Sequence, residues 1–152
     1  MDIELREITD ESVRAICSLE VADEQREFVA PNALSIAEAH FAPNHWMRAI
    51  YADQEPAGFV LTHEDPGEGI FYLWRFMVAE QYQRLGVGHR AMELLVERWR
   101  GLGAARATLS VVPTNPGAIS FYESLGFRRT GEEHGGEVVI RLELDERDVS
   151  VN

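Results

Sequence analysis

The chain has 152 residues, 45% of them hydrophobic and 26% charged, which suits one globular domain with its own core. Acidic residues outnumber basic ones by 26 to 14, so the net charge of -12 argues against a nucleic-acid phosphate binder and is compatible with a cationic partner. No run of about 18 apolar residues spans a membrane, the start "MDIELREITDES" lacks the apolar core of a secretion signal, and a single cysteine, Cys17, fits a reducing, cytoplasmic setting.

In chain order, "DIELREI" reads as a short strand. "ESVRAICSLEV" spaces Val13, Ile16, Cys17, Leu19 and Val21 at a helical period, with Cys17 as a small buried hydrophobe. Pro31 and Asn32 break the chain before a second helix, for which Ser35 is a cap candidate. Trp46 to Ala52 and Ala57 to Thr62 form a hairpin around a turn at residues 53–56. Ile70 to Val78 is almost continuously apolar, as in a strand buried on both faces. A helix follows Gly88, with Ala91, Leu94, Leu95, Trp99 and Leu102 on one face and Gly101 and Gly103 at its end. "RATLSVVP" is a β-branched strand. Asn115 and Pro116 read as the cap and first turn of a helix that ends at Gly126. "GEEHGG" is the turn of a terminal hairpin, and the tail at 146–152 is expected to fray. The five histidines are scattered, so no metal site is expected. The elements amount to one domain over residues 1–145, a central mixed sheet with helices on its faces.

The stretch "FMVAEQYQRLGVGHRAM" places Gly86 and Gly88 at the mouth of a helix. Unpaired N–H groups and the helix dipole make such a mouth an anion site, and glycine lets a phosphate come close to the backbone. A tight strand-to-helix turn with no ligand has the same spacing. The pattern is not the dinucleotide G-x-G-x-x-G, because residue 91 is alanine, and no G-K-[ST] follows to make a P-loop.

"QRLGVG" has the form Q/R-x-x-G-x-G/A. It follows the strand ending "FMV" and precedes "NPGAISFYESLGF" by about 30 residues. In this combination the chain resembles the GNAT superfamily of N-acetyltransferases, specifically over residues 70–127 and in element order throughout. Within it, the chain looks most like the bacterial diamine or polyamine acetyltransferases. The resemblance implies an α+β GNAT fold with a mixed, mostly antiparallel sheet and two splayed parallel strands that hold acetyl-coenzyme A. It implies that the main chain of Phe76, Met77 and Val78 receives the pantetheine arm, with a bulge there aiming the Val78 N–H at the thioester oxygen. Gln83, Arg84, Leu85, Gly86, Val87, Gly88 and His89 would wrap the pyrophosphate. Asn115 matches a cofactor-contacting asparagine, and Tyr122 a tyrosine that protonates the departing thiolate. Phe121 and Phe127 read as core.

An alkyl ammonium has a pKa near 10.4, so its deprotonation at pH 7 costs about 4 to 5 kcal/mol and a proton acceptor is needed. In the polyamine branch an acid often stands two positions before the "FMV" segment; here that residue is Trp74, followed by Arg75. Glu24, Glu27, His63 and Glu64 are the remaining candidates. Asp23, Glu24 and Glu27 lie where the family often walls the acceptor site, and could instead pair with a cationic amine. Trp46, Tyr72 and Trp74 could form an aromatic wall for a cation. The expected reaction is acetyl transfer to a primary amine, a diamine or polyamine being one option and a protein N-terminus, amino acid or aminoglycoside another. A non-catalytic acyl-coenzyme A sensor is the alternative from a different class. A homodimer is an admissible assembly, and no nucleic acid or membrane partner is expected.

Overall fold

In the computed structural model, which describes residues 1–145, the apolar run becomes the middle strand of a seven-stranded sheet. The strands are β1 (Ile3–Arg6), β2 (His45–Ala52), β3 (Glu55–Asp65), β4 (Ile70–Val78), β5 (Arg106–Val111), β6 (Arg128–His134) and β7 (Glu137–Glu143). Their order is β1-β2-β3-β4-β5-β7-β6, antiparallel everywhere except between β4 and β5. The helices are α1 (Val13–Cys17), α2 (Asn32–His40), α3 (Val87–Gly101) and α4 (Ala118–Ser124), with a 3-10 segment at Asp23–Phe28. The expected fraying of the tail lies outside the described residues.

Period-two alternation splits the apolar residues between two layers. Phe59 and Leu61 join Ile16 of α1 and Ala39 of α2 on one face. Val60 and Leu109 join Met92, Leu95 and Trp99 of α3 on the other, where the side chains of α4 also pack. Within β4 the alternation breaks. Phe71 and Leu73 face α3, yet Met77, an even number of residues further on, faces α1 and α2. The break is a bulge: Thr62 pairs with Leu73 and Leu61 with Arg75, so Trp74 has no partner on β3. One extra residue reverses the facing of everything after it. This corrects the expected bulge at Phe76–Val78, where the ladder to β3 is regular from Arg75 to Val78.

Several local expectations change. The first helix stops at Cys17, and Leu19 and Val21 reach the core from outside it. Ser35 is not a cap: α2 begins at Asn32 behind Pro31, and Ser35 lies buried within it. Proline presets the entry into the helix, and the buried Asn32 amide donates to the Ile16 carbonyl at 2.9 Å, tying α2 to α1. The β2–β3 turn is only Asp53-Gln54, both at positive φ as a two-residue hairpin requires, and β3 runs on to Asp65. The last hairpin likewise turns on Gly135-Gly136, with residues 131–134 inside β6. Asn115 does not cap α4, whose N-cap is Gly117 at φ 73°.

Candidate active site

Parallel pairing of β4 with β5 is confined to Tyr72↔Thr108 and Leu73↔Leu109, and it ends where the Trp74 bulge begins. A bulge bends and twists its strand. Beyond it β4 continues to Val78 and β5 to Val111 without pairing to each other, while β5 stays paired to β7 through Val111↔Val138. The gap between them opens into two cavities of about 540 and 560 Å³. Both are lined by Val29, Phe76, Asn115, Ala118 and Tyr122, so they are two halves of one cleft meeting at these residues.

The first half gathers several of the residues expected at the cofactor. Gly86 stands at the N-cap of α3 in the left-handed conformation, φ 83°. The Arg90 N–H donates to the Gly86 carbonyl, so the N–H groups of Val87, Gly88 and His89 precede the first helical bond and point out of the helix end. A 15-residue helix adds its dipole. Gln83, Arg84, Gly86, Gly88 and His89 line this half. Arg84 has no ion-pair partner among the described residues. The side chain of Leu85 points to solvent and that of Val87 is buried in the core, so those two have only main chain to offer. Phe76, Met77 and Val78 line the same half, but the Val78 carbonyl already accepts a 2.8 Å hydrogen bond from Gln83 Nε2. The same amide donates to Gln25 Oε1 at 2.8 Å, joining the loop to the 3-10 segment across the cavity. Nothing in the sequence marks Gln25 for this.

A side chain at Gly88 would start 3.5 Å from Phe121 and Val78, both of which line the cleft. Alanine therefore fits, whereas Gly88→Leu would fill the space next to the free N–H groups. Gly86→Val would instead strain the left-handed N-cap. Calorimetry should show each of these two variants binding acetyl-coenzyme A at least about tenfold more weakly, about 1.4 kcal/mol, with Gly88→Ala near wild type. Unchanged affinity in both would remove this loop from the cofactor site.

At the junction the Asn115 side-chain amide has no hydrogen-bond partner among the described residues, and neither has the Tyr122 hydroxyl. Tyr122 is held edge-on between Phe121 and Phe127, at ring distances of 5.0 and 5.6 Å. It is open to the cleft yet crowded by protein on its other sides, and this burial pushes its phenol above the ordinary value of 10.0. The hydroxyl therefore stays protonated at neutral pH and is a donor.

The second half is lined by Glu27, Trp74, Arg75 and Glu137, among others. Arg26, also here, is paired with Glu20 at 3.0 Å and Asp23 at 3.2 Å, and Arg75 with Glu38 at 3.5 Å. Glu27 and Glu137 have no such partners among the described residues. Glu137 carries no motif, and the fold alone brings it here from the start of β7. Glu24, expected beside Glu27, lines the first half instead. The aromatic wall does not assemble. Trp74 reaches the cavity at the bulge, but Trp46 faces α3 between Arg48 and Arg98, with their guanidinium carbons 4.7 and 4.0 Å from its ring. Tyr72 and His63 line neither half. Glu64 is not a free base: it is buried beneath α3, accepting from Arg98 at 2.7 Å, Trp99 Nε1 at 3.0 Å and Thr62 Oγ1 at 2.9 Å.

Among the described residues no helix is long and apolar enough to cross a membrane. A model of the acetyltransferase (GNAT) family matches residues 4–127. A spermine/spermidine N(1)-acetyltransferase of Bacillus subtilis is 28% identical over 152 residues, covering 95% of this chain and 100% of its own. A ribosomal protein bS18 alanine N-acetyltransferase of Escherichia coli is 32% identical over 126 residues, covering 76% of this chain and 81% of its own. The crystal structure of the PaiA N-acetyltransferase from Thermoplasma acidophilum, in complex with coenzyme A, superposes with a TM-score of 0.71 at 17% identity, covering 94% of this chain and 99% of that one.

Proposed function

Because the chain belongs to the acetyltransferase (GNAT) family and is an acetyl-coenzyme A-dependent N-acetyltransferase, we propose that its acceptor is a cationic alkyl amine, a diamine or polyamine. The observation that carries this is the charge of the acceptor half of the cleft. Its arginines are already paired, whereas Glu27 and Glu137 are not. Carboxylates without partners at a cavity wall favour a cation over a neutral or acidic acceptor. The net charge of -12 adds a long-range attraction of the same sign. The likeness to the Bacillus subtilis enzyme supports the same reading.

Acetyl-coenzyme A brings the activated acetyl group. The free N–H groups of Val87, Gly88 and His89, with Arg84, fit a diphosphate, and the Asn115 amide lies between the two halves of the cleft. Tyr122, at the same junction, is the donor for the departing sulfur.

The test is a panel of amines with acetyl-coenzyme A, scored by product mass. Diamines and polyamines should outperform matched monoamines, and their kcat/KM should fall as salt is added. Glu27→Gln should raise KM for a diamine several-fold more than for a monoamine, on the order of 1 kcal/mol. Transfer confined to peptide N-termini, with no diamine product, would overturn the proposal.

A further inference from the structure

We propose that Glu137 takes the proton from the acceptor ammonium before acetyl transfer, an assignment that rests on the amine reading above. The strand position expected to hold an acid is Trp74, and the bulge turns that residue toward the α1 and α2 core. Among the described residues, the titratable side chains lining the acceptor half are Arg26, Glu27, Arg75, Tyr122 and Glu137. Arginine does not release its proton at working pH, and Tyr122 holds its own. That leaves two carboxylates. Glu27 is exposed on the 3-10 segment, where water screens it. Glu137 is half-buried, with no hydrogen bond or ion pair to its side chain among the described residues. A carboxylate partly withdrawn from water without compensation is a receptor for a cation.

Position supports the choice. Glu137 opens β7, which stays paired with β5 through Val138↔Val111 at the end of β5 beyond the splay. The carboxylate thus belongs to the β5 side of the cleft, and α4, which follows β5 in the chain, carries Tyr122, while Glu27 stands on the 3-10 segment. Across its own hairpin Glu137 pairs with His134, which is exposed and contacts Glu132 at 3.3 Å. Arg26 and Arg75, each paired with another carboxylate, line the same half of the cleft.

The protons balance as follows. The ammonium gives one proton to the Glu137 carboxylate, which passes it to solvent. The freed nitrogen lone pair forms the C–N bond to the acetyl carbon, and the C–S bond breaks. The sulfur takes the Tyr122 hydroxyl proton, and the second proton leaving nitrogen restores the tyrosine. The sum is an amide, a free thiol and one released proton.

The experiment compares an ordinary alkyl diamine with a fluorinated alkyl diamine of similar size whose amines are already neutral at pH 7. Glu137→Gln should lower kcat/KM for the first at least about tenfold at pH 7 and change the second little. The deficit on the first should shrink as pH rises toward the ammonium value near 10.4. Glu137→Asp should recover part of the loss, and thermal melting of each variant reports whether it is folded. Equal losses on both amines, no loss on either, or a rise in KM alone with an unaltered pH profile would overturn the assignment. Wild-type enzyme inert toward both amines would defeat the amine acceptor itself, a result distinct from failure of Glu137 alone.

Discussion

Tyr122→Phe is expected to lower kcat about 10²-fold, with cofactor affinity nearly unchanged. The ring and its edge-on contacts with Phe121 and Phe127 survive the substitution, so only the hydroxyl is lost. That hydroxyl spends no hydrogen bond within the described protein, so its removal orphans nothing. A free thiol has a pKa near 8.5, which makes the thiolate a tolerable leaving group and caps the benefit of an acid. An acyl donor with a more acidic thiol should therefore narrow the gap between wild type and variant. The pH dependence has a definite sign. Burial raises the phenol's pKa in the folded state above 10.0, so the folded state holds this proton more tightly than the unfolded chain. Below pH 10 both states are protonated and the group has no effect on the pH dependence of stability. As pH rises beyond 10, stability falls, and Tyr122→Phe should remove that part of the fall. Near-normal turnover by the variant would take the acid out of the mechanism. A drop in cofactor affinity matching the drop in rate would make Tyr122 a packing residue.

What the sequence could reveal depended on whether the signal was local. The glycine pair at 86 and 88 and the apolar run at 70–78 announce themselves within a few residues, because backbone sterics and helix-end chemistry are local, whereas the turn expected at 53–56 shows only its place and tightens to Asp53-Gln54. The Trp74 bulge does not announce itself. In "IFYLWRFMV" both faces are apolar, so nothing in the pattern marks where the facing reverses, and the bulge is visible only against the partner strand. Asn115-Pro116 is a sound helix-start signal, but Gly117 in the left-handed conformation delays the helix to Ala118 and leaves the asparagine amide facing the cleft. Glu24 and Glu27, three residues apart, looked like one wall. They share a side of the 3-10 segment one turn apart, yet Glu24 lines one half of the cleft and Glu27 the other. Glu137 and Gln25 owe their places wholly to tertiary structure.

The same distinction separates the carboxylates that line the cleft from the one that is paired inside the fold. In sequence Glu64 is one more acid on a strand. In space it is 6% exposed and receives Arg98, Trp99 and Thr62, while the Arg98 guanidinium lies 4.0 Å from the center of the Trp46 ring. A buried carboxylate left without its cation costs more than a cation that can reach water. Arg98 is 32% exposed, so the two deletions are not equivalent. Arg98→Met should cost about 3 kcal/mol, because it strands the Glu64 charge. Glu64→Gln should cost less, about 1 to 2 kcal/mol, since an amide oxygen still accepts from Trp99 or Thr62 and Arg98 can turn outward. Replacing both, Glu64→Leu with Arg98→Met, should recover part of the Arg98→Met loss, although the Trp99 and Thr62 donors then lack their acceptor. Denaturant midpoints at constant slope measure all three. Because Glu64 lines neither half of the cleft, kcat should stay near wild type in each variant well below its melting temperature. A Glu64→Gln enzyme of normal stability and much reduced kcat would return Glu64 to the list of proton acceptors and count against Glu137.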